Sequence, residues 1–342
     1  HYPLRRQRQM CIRDRTSNDG IFKGDDFTLD SIFDIVKTGG LTWVDILRPD
    51  EEVQAFLSDS VNVDELVIED IFGDASTTIQ RFDDHRFITL QVRDSDNRLD
   101  TEPVAIILKD SLLITIRSTR IPAIDVFSKR MKKADAEDLE LGIDFLLYEL
   151  LDSIADDWTP RLSSYSDELD RLEFQVFDPS ETYDNLLEGL HSLKRQLREA
   201  YKSIESLHSI LIWMLKPGEH LISKETERYF LDTQQLVTTL VKRCNNYSVG
   251  ATSTRDTYLS HVSLRLAESN ARLSEVMTTL TIVGAIMLPL TLIAGIFGMN
   301  NEDLPEDAIG GFWGIIGLMS AFAFVMMIYF WWRGWLSVLK RQ

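Results

Sequence analysis

Two charge-free apolar runs near the C-terminal end constrain this chain more than any other feature. Residues 276–301 and 308–332 contain no Asp, Glu, Lys or Arg, and each run is long enough to cross a bilayer as a helix. The second carries Trp313, Tyr329, Trp331 and Trp332 near its ends, where amphipathic rings favour the membrane interface. Basic residues lie on the outer flanks, Arg265 and Arg272 before the first run and Arg333, Lys340 and Arg341 after the second. The joining loop holds Glu302, Asp303, Glu306 and Asp307 and no base. The positive-inside rule then puts both termini in the cytoplasm and the acidic loop outside. The chain reads as a two-span hairpin in the plasma (inner) membrane, with the bilayer as one partner and a large cytoplasmic head.

The head begins as a small α/β domain. "LTWVDI" (Leu41–Ile46), "FITLQV" (Phe87–Val92), "VAIIL" (Val104–Leu108) and "LLITI" (Leu112–Ile116) are β-branched runs that read as strands, and the short polar separators between the last three read as hairpin turns. "DELVIEDIF" (Asp64–Phe72) reads as a helix. After Pro122 apolar residues recur every three or four positions, which predicts long helices. One ends near Phe177–Ser180, a second runs from about Glu181 to Leu215, and a third starts near Leu221 with no breaker before Pro289. In the third, Leu259, Leu266, Leu273 and Leu280 fall at seven-residue intervals, interrupted on the companion positions by Ser269. Such a heptad suits packing against copies of itself or burial in its own domain.

Composition removes several function classes. A net charge of −18 argues against nucleic acid as a partner, which needs a basic footprint. It suits either solubility or the handling of cations. Cys11 and Cys244 have no metal-ligand spacing and favour a reducing compartment. The six histidines form no HExxH or HxxxH pair, and no phosphate loop or nucleophile–base motif occurs, so the chain is not read as an enzyme and no covalent cofactor is expected. The first fifteen residues carry five Arg against one Asp and no apolar core of a signal peptide. They resemble translated adapter read-through and are set aside as artefact or disordered.

The first span is not built for lipid alone. Ser274, Met277, Thr281, Gly284, Leu288, Thr291 and Gly295 step by three or four and share one face. Small residues there also suit helix–helix packing. The stripe is uncharged, small or hydroxylic, with apolar constrictions, and is suited to lining a water-filled path. Rings of Met277, Leu280 and Leu288 would close such a path by dewetting, and Pro289 offers a pivot.

The span closes on "LPLTLIAGIFGMN" (Leu288–Asn300), followed by "LPE" (Leu304–Glu306) and a terminal span. With "HSLKR" (His191–Arg195), "YFLD" (Tyr229–Asp232) and "DTYLSHVS" (Asp256–Ser263) in order, the chain from about Thr38 onward resembles the CorA family of magnesium channels. Two departures stand out: the stretch between Asp256 and Met277 is one heptad longer than usual, and Phe297 stands where tyrosine is commoner. The resemblance implies an α+β cytoplasmic domain followed by long helices and two transmembrane helices, assembled as a homopentameric funnel with the pore on its axis. The expected divisions are 16–135 for the α/β domain, 136–218 for a helical hairpin and 219–275 for a stalk. The first span at 276–300, the loop at 301–308, the second span at 309–333 and a basic tail at 334–342 follow.

The resemblance further implies divalent cations as cargo, chiefly Mg2+, with Co2+ and Ni2+ as surrogates. Mg2+ dehydrates reluctantly, so Gly298, Met299 and Asn300 would act as a filter in which neutral Asn300 oxygens accept hydrogen bonds from the ion's water shell. Glu302, Asp303, Glu306 and Asp307 would concentrate cations at the mouth. Regulatory Mg2+ between subunits would be held by Asp96, Asp232 and Asp256. The alternatives are a ZntB-like zinc transporter, against which Met299 speaks, and a non-conducting membrane-anchored coiled-coil scaffold.

Overall fold

The computed structural model describes residues 12–14, 22–24, 41–73, 77–94, 101–133, 141–176, 183–216, 222–299 and 311–335. The chain divides into two compact units, His1–Asp256 and Thr257–Gln342.

The first unit is built on a seven-stranded sheet. Its strands are β1 (Ile12–Asp14), β2 (Phe22–Gly24), β3 (Thr42–Leu47), β4 (Thr78–Arg81), β5 (Arg86–Arg93), β6 (Thr101–Lys109) and β7 (Leu112–Arg117), in the spatial order β2-β1-β3-β7-β6-β5-β4. Only β3 and β7 pair in parallel; the others are antiparallel. The four apolar runs read from the sequence are β3, β5, β6 and β7. Within the first fifteen residues, Ile12 and Arg13 pair with Val44 and Trp43. Main-chain hydrogen bonds supply that pairing whatever the local charge.

The two faces of the sheet are filled differently. On one, Val44, Ile46, Phe87, Ile107 and Ile114 pack with Val53, Leu57 and Val67. The last three come from α1 (Glu51–Ala55), from the π-helical turn Phe56–Ser60 that continues it, and from α2 (Glu65–Phe72). Asp50 and Asp64 cap the two helices by accepting from the amides of Val53 and Leu66. Each large side chain so buried contributes roughly 1.5–3 kcal/mol. The other face carries a buried polar network. Thr115 Oγ1 accepts from Trp43 Nε1 at 3.2 Å and donates to Asp45 Oδ1 at 2.8 Å. Arg117 donates to the same carboxylate through Nε at 3.2 Å and Nη2 at 2.7 Å.

The rim of the sheet explains an oddity in β6. Pro103 lies opposite Gln91, a central position where proline normally deletes a ladder bond. Gln91 instead turns its backbone outward, to Ser203 Oγ (2.5 Å) and Ser206 Oγ (3.4 Å), so Pro103 breaks nothing.

Four helices follow in this unit: α3 (Pro122–Lys133), α4 (Ile143–Gln175), α5 (Tyr183–Met214) and the first part of α6 (Glu227–Phe297). Gly142, at φ +96°, makes the left-handed turn into α4 that a side chain would oppose. Bidentate bonds from Arg93 to Asp157, at 2.6 and 2.7 Å, tie β5 to α4. The third long helix starts later than Leu221 because Ser223–Thr226 form a capping turn. Ser223 Oγ accepts from the Thr226 amide, and Asp144 of α4 accepts from the Ser223 amide and the Thr226 hydroxyl. Farther along, a Cβ at Gly250 would lie 2.9 Å from Leu169, and one at Gly189 2.8 Å from Leu172. One stretch of α4 thus seats a leucine against each neighbouring helix.

The second unit holds the remainder of α6 and α7 (Gly311–Trp332). Both are long and apolar enough to cross a membrane. Helix α6 continues without interruption to Phe297 with Pro289 inside it, as the lack of earlier breakers predicts.

Candidate functional site

Within α6, the predicted stripe and the covered side are different faces. Ile282 is 7% exposed, and Ala285, Ile286, Pro289, Leu290, Ile293 and Phe297 are half-buried. At 100° per residue these centre more than a third of a turn away from the stripe. On the stripe itself Met277 is 68% and Leu288 74% exposed, Ser274, Thr281, Thr291 and Gly295 are exposed and Gly284 is half-buried, and the neighbouring Leu280 is 72% exposed. Gly284 and Gly295 have nothing within 4 Å of an added Cβ, so neither glycine is required by a contact inside the chain.

The hydroxyls on this length of helix have a definite polarity. Thr281 Oγ1 donates to the Met277 carbonyl at 2.7 Å and Thr291 Oγ1 to the Met287 carbonyl at 2.8 Å. Thr278 and Thr279 do the same to Ser274 and Glu275. Each threonine has committed its single donor to its own backbone. What it offers outward is lone pairs.

The end of the span has a local reason for its glycine. The amide of Gly298 donates to the Ala294 carbonyl at 2.9 Å and that of Met299 to Ile296 at 3.2 Å, which finishes the last turn. A Cβ at Gly298 would sit 2.9 Å from the same Ala294 oxygen, a backbone atom that cannot step aside. Met299 is exposed. Asn300, Glu302, Asp303, Glu306 and Asp307 lie outside the described residues.

Of the candidate regulatory acids, the two among the described residues are not gathered together. Asp96 lies outside the described residues. Asp232 and Asp256 are both exposed on α6, separated along the helix by about 36 Å at 1.5 Å per residue. Asp256 is paired with Arg255 at 2.9 Å. No group of three or more His, Cys, Asp or Glu among the described residues is placed to hold a metal ion.

Asp232 does stand beside a negative surface that the sequence reading overlooked. Glu149, Asp152 and Asp156 of α4 face the single guanidinium of Arg130, at 3.8, 3.3 and 2.9 Å. Asp152 also accepts from Thr233 Oγ1 at 3.1 Å. Burial, and then the neighbouring Asp156, push the Asp152 carboxyl up from its ordinary range. The Tyr148 hydroxyl is raised too, first by burial and then by Asp152, Glu149 and Asp232. The spacing of the three acids in "ELLDSIAD" was the available signal.

The cobalt/magnesium transport protein CorA of Thermotoga maritima is 30% identical over 304 residues, covering 86% of this chain and 83% of that protein. The solved CorA magnesium transporter of Methanocaldococcus jannaschii superposes with a TM-score of 0.67 at 23% identity, over 95% of this chain and 98% of that one. The ZntB cytoplasmic domain of Vibrio parahaemolyticus superposes with a TM-score of 0.60 at 12% identity, over 74% of this chain and 98% of that domain, a likeness of fold. The family described as CorA-like Mg2+ transporter protein matches residues 38–341. That match runs from just before β3 through both candidate spans, and the chain therefore belongs to the CorA-like Mg2+ transporter family, a family of membrane transporters and not of enzymes.

Proposed function

We propose that this chain forms a homopentameric channel in the plasma (inner) membrane that passes hydrated divalent cations, chiefly Mg2+ and also Co2+ and Ni2+. The observation that carries the reading is the bare, acceptor-bearing stripe of α6. A hydrated divalent cation keeps its water shell and turns water hydrogens outward. Thr281 and Thr291, with their own donors spent on the helix, meet those hydrogens with lone pairs. Met277, Leu280 and Leu288 form the constrictions between the hydroxyl rings. At the mouth, Gly298 lets the chain turn tightly, and Asn300 accepts from the shell without displacing it. Glu302, Asp303, Glu306 and Asp307 raise the local cation concentration.

Closure by cytoplasmic Mg2+ uses Asp232 with acids of the neighbouring subunit, Asp96 and Asp256 among them. Carboxylates that face one another across an interface repel, and a divalent ion holds them together. Both termini lie in the cytoplasm. The zinc reading has a likeness of fold behind it, and a non-conducting membrane-anchored coiled-coil scaffold would put branched apolar residues all round the first span.

The test is ion uptake into liposomes holding the purified protein. Asn300→Ala should lower Mg2+ uptake about tenfold or more, a loss of roughly 1.4 kcal/mol at the barrier, with the oligomer intact by size. Unchanged uptake in that variant would remove the hydrated-ion filter. In the same liposomes, Mg2+ on the cytoplasmic side should slow uptake by the wild type and not by Asp96→Asn/Asp232→Asn. Equal slowing in both would place the sensor on other acids.

A further inference from the structure

The head contains a cavity of 340 Å³ between β5, β6, β7 and α2, remote in sequence from every residue of the ion pathway. Its walls are apolar, from Pro49, Ile71, Phe72, Ala105 and Ile116. Five polar residues interrupt them, Arg48, Asp70, Thr89, Arg117 and Ser118, of which Arg117 is already bound to Asp45. Arg48 stands exposed at φ +59°, a left-handed conformation that disfavours a residue with a side chain and that clusters at ligand sites. Its guanidinium has no partner among the described residues. Asp70 is half-buried and accepts one bond, from Gln80 Nε2 at 3.2 Å, through a single oxygen. The third, Thr89, buries its hydroxyl with no protein partner.

An uncommitted cation, Arg48, and a carboxylate, Asp70, thus line one cavity without pairing to each other. Among the described residues Arg48 is in no ion pair, and the second oxygen of Asp70 is unspent. Had the two served stability alone, they would gain most by meeting. Held apart, they complement a molecule that carries both charges on an apolar body. The geometry points to a binding site for a zwitterionic apolar amino acid, with its carboxylate on Arg48, its ammonium on Asp70 and its side chain against Phe72, Ile71 and Ile116. The volume matches the lower range of small-molecule pockets, and the Thr89 hydroxyl gives the ligand an additional polar neighbour.

The probes are L-phenylalanine, 3-phenylpropanoate and phenethylamine, titrated calorimetrically into the full-length protein in detergent. L-phenylalanine should bind saturably, and each half-charged analogue about tenfold more weakly, as expected for the loss of one charge-assisted contact. Arg48→Gln should weaken L-phenylalanine and 3-phenylpropanoate and leave phenethylamine unchanged. Asp70→Asn, which keeps the bond from Gln80, should do the reverse. This crossed pattern does not arise from a general loss of structure. Absence of binding by L-phenylalanine and L-leucine up to about 10 mM, weaker than any affinity such contacts would give, overturns the proposal. So does equal weakening of all three probes in both variants. Liposome uptake reads the ion pathway separately, so failure here leaves that reading untouched.

Discussion

Helix α6 passes through two regimes without a break. Up to Asp256 it carries a buried row, Phe230, Val237, Leu240, Cys244 and Ala251, each 1% exposed or less. Cys244 donates to the Leu197 carbonyl at 3.1 Å, and burial pushes its thiol up to about 12. Beyond Thr257 the apolar repeat continues through Leu259, Leu266 and Leu273, yet all three are exposed. The same helical periodicity therefore has two meanings. In the first length the protomer covers it; in the second the covering, whether other copies, lipid or a water path, must come from outside the chain. Apolar spacing tells that a face is to be covered, and only the fold tells by what.

The packed side of this contrast is sharpened most by Arg117. Arg117→Met leaves Asp45 buried without its cation and should destabilise the head by about 3–5 kcal/mol, read as a fall in thermal midpoint. Asp45→Leu added to it should recover most of that loss, since no buried charge then remains. A double variant as unstable as the single would mean that the pair is needed for the fold itself.

A matched pair of leucine truncations tests the contrast directly. Leu240→Ala should destabilise by about 2–5 kcal/mol, whereas Leu266→Ala, at an exposed site, should stay within about 0.5 kcal/mol for the protomer. In the oligomer, Leu266→Ala should instead lower the assembled fraction on size exclusion. Equal thermal shifts and unchanged assembly would erase the distinction between the two lengths. On the bare stripe, Leu288→Ser should leave stability alone and raise the cation leak at high internal Mg2+; an unaltered leak would turn that face toward another helix.

The smallest expected effect is a pH dependence in the head. Hydrogen bonds from Lys109 and then His85 hold the Asp84 carboxyl at about 2. A depressed folded-state value contributes stability that is whole above the ordinary carboxylate range and lost as pH falls through about 2. Asp84 is half exposed, so solvent screening leaves little of it. The thermal difference between wild type and Asp84→Asn should be slight at neutral pH and shrink as pH drops from about 4 toward 2. A difference that grew on acidification would assign the effect to another group.

Much of this was readable from residues alone. Four β-branched runs gave four central strands, and the absence of breakers between Leu221 and Pro289 gave the long helix. The polar "TIQR" of β4 was not readable, because its partner strand and not its own composition makes it a strand. The capping turn at Ser223–Thr226 was also missed, since the carboxylate that completes it, Asp144, is remote in sequence. Spacing placed Thr281 and Thr291 on one face, but not the direction of their hydroxyls. The cavity beside Arg48 is assembled from five separate stretches of chain, and no local pattern announces it.

The two leucines of α4 that face glycines have a mechanical consequence. Leu169 meets Gly250 on α6, and Leu172, less than one turn later, meets Gly189 on α5. Each side chain is a detent seated where a neighbour lacks a Cβ. For α6 to slide along its axis, Leu169 would have to climb out of its notch toward the side chains one turn away on the same face, Asn246 or Thr254. Axial slippage of α6 against α4 is thereby blocked at this level.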